Sequence, residues 1–216
     1  MAKRIVLSVG TKRGLFLLGS TKQRRRWKVK GPFLKGWSIN YAMIDTRGKP
    51  KLHAAGWNFT QANAMFTGDV EGKKFSGCEN PPKPPQIMGK AAEQAKEWGI
   101  STADRTWVIA PGPAKEKKVL YAGTAPAGLF RSEDRGKTWQ PVQGLNEHPT
   151  REDWSPGAGG MCLHSFQVDP HDPLKMYAAI SAAGAFRTDD GGGSWKPINE
   201  CVSGYVGGPE KKGVGT

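Results

Sequence analysis

The densest gathering of chemically able side chains in this 216-residue chain lies in one connection, QGLNEHPTREDWSPGAGGM at 143–161. It holds His148, Arg151, Glu152, Asp153 and Trp154, and His164 follows at the start of the next apolar run. A guanidinium with imidazoles can hold an anion, and an indole can stack on a sugar ring. We read His148, Arg151, Asp153, Trp154 and His164 as candidate ligand-binding residues for a carbohydrate, a small anion or a peptide. The competing reading is a surface loop anchored by a buried Trp154. His148, Asp153 and His164 match no known metal-ligand spacing, so no metal is expected. No cofactor is expected either. DDGGGSW (189–195) lacks the Gly-Lys-Ser/Thr ending and following helix of a phosphate loop, and GAGG (157–160) precedes a strand.

Two further carboxylates, Asp134 and Asp190, recur at matched places. GLFRSEDRGKTWQPV at 128–142 returns as GAFRTDDGGGSWKPI at 184–198. The shared core runs Ser132, Asp134, Gly136, Thr138 and Trp139 in one copy, and Thr188, Asp190, Gly192, Ser194 and Trp195 in the other. In a tight turn, the Asp accepts bonds from backbone N–H groups and the hydroxyls bond locally. The Gly takes a positive φ and the Trp buries its apolar face. These residues are expected to hold turns rather than to catalyse.

The elements that must position the loop follow from the same repetition. Val119–Phe130 aligns without gaps on Lys175–Phe186, and Ile5–Phe16 is a third copy; KLHAAGWNFTQANAMF (51–66) is a looser fourth. Apolar runs at 37–45, 105–111 and 162–170 precede three of the units. Each full unit therefore reads as four short strands over roughly 50 residues, the pattern of a propeller blade. The expectation is an all-β fold: one β-propeller domain over 1–199, built of four-stranded antiparallel blades near 4–36, 37–76, 105–145 and 162–199. A Pro-rich and helical insertion fills 77–104, where ENPPKPPQ precedes GKAAEQAKEWGI. The first unit lacks its first strand, and the glycine-rich tail 200–216 departs from the pattern. Both fit an incomplete propeller of about four blades, whose open edges would invite association; the alternative is a small four-bladed ring. The 143–164 loop shares a face with the turns at 11–13, 58–63, 125–127 and 181–183.

The repeated core resembles the Asp-box motif, or bacterial neuraminidase repeat, of sialidases, sortilin-type receptors and many bacterial propellers. The resemblance covers about residues 4–199. The two later copies match well, whereas the units around Ser20–Trp27 and Thr67–Phe75 keep only parts of the motif. Sialidases would imply an arginine clamp on a substrate carboxylate, a Tyr–Glu nucleophile pair and an Asp acid/base. That set is not visible here. Tyr121 and Tyr177 align with Leu7 as packing positions, Tyr41 lies in a first strand, Tyr205 lies in the tail, and no Phe-Arg-Ile-Pro segment exists. Shared repeats imply a shared fold, not a shared activity.

The chain carries 32 basic and 19 acidic residues, a formal charge of +13. A solvated basic surface is the plain explanation, and polyanion binding is a third function class. Nucleic acid is not expected as a partner, because the densest basic run, KQRRRWKVK (22–30), interleaves only Trp27. Three cysteines without a CxxC pair point to a reducing compartment. No apolar run reaches the length of a membrane span or a signal-peptide core, so the expectation is a cytoplasmic protein without a membrane partner. The function expected is a ligand-binding or scaffold propeller with a carbohydrate, small-anion or protein partner. The alternative is a sialidase-like exo-glycosidase acting on acidic sugars.

Overall fold

The computed structural model describes residues 5–157, 159–181, 183–200, 203–204 and 211–212. Every sheet in it is antiparallel. The first has three strands, β1 (Ile5–Thr11), β2 (Gly14–Ser20) and β3 (Trp27–Phe33). The second has β4 (Ser38–Asp45), β5 (Lys51–Trp57), β6 (Ala64–Asp69) and β7 (Phe75–Gly77), paired in sequence order. A helix, α1 (Gly89–Glu97), precedes the third sheet: β8 (Arg105–Pro111), β9 (Leu120–Ala125), β10 (Leu129–Ser132) and β11 (Gln140–Pro141). A short helix, α2 (Gln143–Asn146), and a 3-10 turn, Pro149–Asp153, lead to the fourth: β12 (Leu163–Val168), β13 (Met176–Ile180), β14 (Gly184–Thr188) and β15 (Lys196–Pro197). Ser203–Gly204 and Lys211–Lys212 pair as a separate short ladder.

The apolar core lies between consecutive sheets, one cluster per gap. Leu15, Leu17, Ile39, Leu52 and Ala54 fill the first gap. Ala55, Met65, Ile109, Leu120 and Phe130 fill the second, with Trp139. The third is the largest and joins Tyr121, Leu163, Phe166, Met176 and Phe186 to Trp154 and Trp195. Middle strands are consequently buried on both faces. On β9, Leu120 and Ala122 point to the second sheet, while Tyr121 points to the fourth. Thin, closely stacked sheets demand small residues, which explains the Ala- and Gly-rich strands. A Cβ on Gly123 would sit 2.6 Å from the Leu163 carbonyl oxygen, so that approach requires glycine.

First strands β4, β8 and β12 pack against the sheet before them. Each carries a bulge at the same register, where the ladder skips Asn40, Trp107 and His164 respectively. The repetition extends to the turns. Asp134 Oδ1 accepts the N–H groups of Lys137 and Thr138, both at 2.9 Å, and Oδ2 accepts the Thr138 hydroxyl at 2.7 Å. Asp190 accepts Ser194 N at 3.0 Å and the Ser194 hydroxyl at 2.6 Å. Gly136 and Gly192 stand at φ +84° and +102°, and Ser132 and Thr188 each accept the N–H of that glycine. Asp69 clamps a looser turn in the second sheet through the amides of Glu71, Lys73 and Lys74. Trp139 and Trp195 are buried, whereas Trp27 is 36% exposed on outer strand β3.

Candidate functional site

Of the 143–164 residues, the structure gathers three and separates two. His148 and Trp154 are buried, their rings stacked with centroids 6.2 Å apart, and both rings rest on Phe186. His148 Nε2 lies 3.2 Å from the Trp195 carbonyl, and Nδ1 accepts the Thr150 amide. The Trp154 indole donates to the Thr150 hydroxyl at 3.1 Å. Arg151 lies over the Trp154 ring, its Cζ 5.0 Å from the centroid, and donates to the Ala127 carbonyl at 2.8 Å. Burial lowers its pKa from the ordinary arginine value. Asp153 and His164 are exposed, with His164 Nδ1 3.2 Å from the hydroxyl of its neighbour Ser165. The loop is thus folded on an aromatic anchor. No group of three or more His, Cys, Asp or Glu among the described residues is placed to hold a metal.

The same loop ends in the wall of a cavity of about 240 Å³. Gly159, Gly160 and Met161 form one side, the β9–β10 turn (Ala125, Pro126) another, and the segment after α1 a third. That segment is positioned by a helix stop. Gly99 at φ +62° ends α1, Ile100 N donates to Ala95 O at 2.8 Å and Gly99 N to Lys96 O at 3.2 Å. This pair of bonds is a Schellman cap. It turns Trp98 and Ile100 onto the cavity while Ala91 and Ala95 bury the inner helix face. Against its other side α1 contacts the Pro149–Asp153 turn.

Strand β8 supplies the polar groups. Arg105, its first residue, lies over the Trp57 ring with Cζ 4.7 Å from the centroid, in cation–π range. Trp107 is the bulge residue, and a bulge re-aims a side chain that regular alternation would send elsewhere. Around them the register is tied down. Asn63 Oδ1 accepts both the amide and the hydroxyl of Thr106 at 3.0 Å, and Asn63 Nδ2 donates to Pro82 O at 3.0 Å. Arg105 Nε and Trp107 Nε1 are buried without a hydrogen-bond partner among the described residues, as are Trp139 Nε1 and Arg151 Nη1 elsewhere. Phe59, on the neighbouring turn two residues beyond Trp57, is fully exposed.

The cavity lining contains Arg105, two tryptophans and Ser101, but no Asp, Glu, His or Cys among the described residues. Asp104 is the nearest acid in sequence; it lies outside the lining, and partial desolvation of its carboxyl raises its pKa above the usual value. Such a surface can stack on and donate hydrogen bonds to a ligand. It does not present the paired carboxylates that glycosidic cleavage by general acid and base requires. The residues that sequence reasoning missed are Arg105, Trp107 and Trp98. RTWVIAP reads as an ordinary strand, and its only signal is a Trp two residues after an Arg at a strand start.

Stacked antiparallel sheets with first strands packed on the preceding sheet define a β-propeller fold. Comparisons agree. The GH74 xyloglucanase from Xanthomonas campestris superposes with a TM-score of 0.58 at 17% identity, over 89% of this chain and 27% of that one. In sequence, a probable oligoxyloglucan-reducing end-specific xyloglucanase of Neosartorya fischeri is 28% identical over 158 residues, covering 72% of this chain. The oligoxyloglucan-reducing end-specific xyloglucanase of Emericella nidulans is 25% identical over 181 residues, covering 80%. The matches span 17% and 20% of those two proteins, so the chain corresponds to about a fifth of the length of the relatives it resembles. No protein-family profile matches the chain. Among the described residues no helix is long and apolar enough to cross a membrane.

Proposed function

We propose that this propeller is a carbohydrate-binding module whose site is the cavity between α1, β8 and the β9–β10 turn. The observation that carries the reading is the lining itself: Trp98 and Trp107 offer apolar faces, and Arg105 brings a guanidinium to the same wall. Pyranose rings present an apolar C–H face and an equatorial rim of hydroxyls, and an indole with nearby donors complements both. In this reading Arg151 and Trp154 are positioning residues. They hold the Ala127 carbonyl and the loop that carries Gly159–Met161, while Asp153 and His164 lie outside the lining. Asp134 and Asp190 act as turn clamps of the Asp-box kind. The free Cys78 and Cys162 fit a reducing, cytoplasmic setting.

Xyloglucan oligosaccharides are the first ligands to test, given the resemblance to xyloglucanases. Calorimetric titration should give saturable binding that Trp107→Ala weakens by about tenfold or more, with the melting temperature of the variant measured alongside. Equal binding by Trp107→Ala and wild type would remove the cavity as the site. The resemblance also favours a second reading, one part of a glycosidase cleft. It is tested by reducing-end release from xyloglucan, and the carboxylate-free lining predicts none from this chain.

A further inference from the structure

At the opposite ends of the strands from this cavity, a groove of about 1030 Å³ runs between the second and third sheets. Six cationic residues line it: Lys49, Lys51, Lys74, Lys118, Arg135 and Lys137. None makes an ion pair among the described residues, although ion pairs form elsewhere on the surface, as between Lys30 and Glu71. Four carboxylates also line the groove, which leaves six cations against four anions, and three of the four are held in place. Asp69 and Asp134 are saturated by the turn amides and hydroxyls, and Glu133 pairs with Arg131. Glu79 is the fourth.

The backbone beneath Arg135 adds an independent observation. Arg135 stands at φ +65°, in the left-handed region that disfavours side-chain-bearing residues. Its repeat counterpart is Gly191 at φ +77°. Their amides do the same work, Arg135 N donating to Lys118 O and Gly191 N to Leu174 O, both at 2.9 Å. The turn therefore accommodates glycine, yet the copy facing the groove carries a strained arginine. Strain held at one copy of a repeat points to a use for the side chain.

We infer that this groove binds a linear anionic polysaccharide, its carboxylate or sulfate groups spanned by the six cations. Among the described residues the groove lining has no aromatic side chain for stacking bases, as single-stranded nucleic acid sites have. It is rich in lysine, which protein–protein interfaces deplete. Five ammonium groups and a guanidinium lining one groove suit a chain that carries many anions.

The test is titration of the full chain with polygalacturonate (carboxylated), heparin (sulfated) and neutral dextran, at about 50 and 200 mM salt. Binding to at least one anionic glycan, none to dextran, and a loss of about tenfold or more in affinity over that salt range are expected; the two anionic arms tell carboxylate from sulfate. Arg135→Gly removes the charge and the strain together, so it should weaken binding by about fivefold while the melting temperature holds or rises. Lys74→Gln with Lys137→Gln should weaken it further, and Trp107→Ala should leave it unchanged, which separates this groove from the cavity. Wild-type affinity in Arg135→Gly and in the double lysine variant, or tighter binding to duplex DNA than to either glycan, would overturn the inference.

Discussion

Replacing Arg47 by alanine should unlatch the second sheet from the third. Arg47 lies just beyond β4 and grips Asp45 with two parallel bonds, Nε to Oδ1 at 3.0 Å and Nη2 to Oδ2 at 2.9 Å. It then crosses to the β8–β9 connection, where Nη1 reaches the carbonyls of Gly112 at 2.7 Å and Pro113 at 3.1 Å, and Nη2 that of Val119 at 2.8 Å. The two side chains are only 13% and 10% exposed. When the guanidinium goes, Val119 O keeps the Gly112 amide and Pro113 O keeps the Glu116 amide. Asp45 loses both side-chain bonds and is left buried with the Arg47 backbone amide as a donor. Removing one partner of a buried pair costs about 3–5 kcal/mol. At a urea slope of roughly 2 kcal/mol/M, the midpoint should fall by about 1.5–2.5 M. Asp45→Ala with Arg47→Ala should cost about 2 kcal/mol less than the sum of the single changes, because the stranded carboxylate is gone. A loss below about 1 kcal/mol in Arg47→Ala, or strict additivity in the cycle, would refute the latch.

The wild-type protein should lose stability between pH 6.5 and 4. Burial pushes the His53 imidazole down to about 4, with Asp45 opposing the shift and Lys51, Arg47 and Arg135 adding to it. In that window the unfolded chain binds the proton and the folded chain does not, so stability is full above the unfolded pKa and falls by roughly 3 kcal/mol on acidification. Urea midpoints across the window should flatten in His53→Gln, and an unchanged slope would show that another group titrates. Asp134→Ala removes the acceptor of two amides and two hydroxyls, counting Ser132 Oγ, and should lower the melting temperature by about 2–4 °C. The amides of Lys137 and Thr138 should lose hydrogen-exchange protection in that variant; retained protection would deny the clamp. Trp154→Ala empties a fully buried site against Phe186 and should cost about 3–5 kcal/mol. A cost under about 1 kcal/mol by urea unfolding would mean that the loop has no anchor there.

The blades were legible because repetition reports a shared local structure whatever the ligand. The matched turns at Asp134 and Asp190, with their glycines and tryptophans, could be read from residue type because the chemistry is local to about eight residues. The site was not. His148 and Trp154 look identical in sequence whether they face a ligand or the core, and only packing on Phe186 decides. Trp107 was read as one position of a regular strand. Its orientation depends on a bulge, and a bulge is a property of the pairing between β8 and β9. Arg105 meets Trp57 from another sheet across 48 residues of chain, and the Trp98 wall depends on where α1 stops. The same limits hid the groove, since its six cations come from turns and strand ends of two sheets and form no run in the sequence.

The most direct test of the account is an NMR titration of the uniformly ¹⁵N-labelled protein with a xyloglucan oligosaccharide, following the indole and arginine Nε–H signals. The cavity reading predicts saturable shifts at Trp107 Nε1–H and Arg105 Nε–H, with Trp139 and Trp195 unmoved. Shifts confined to other residues, or none at saturating sugar, would contradict it.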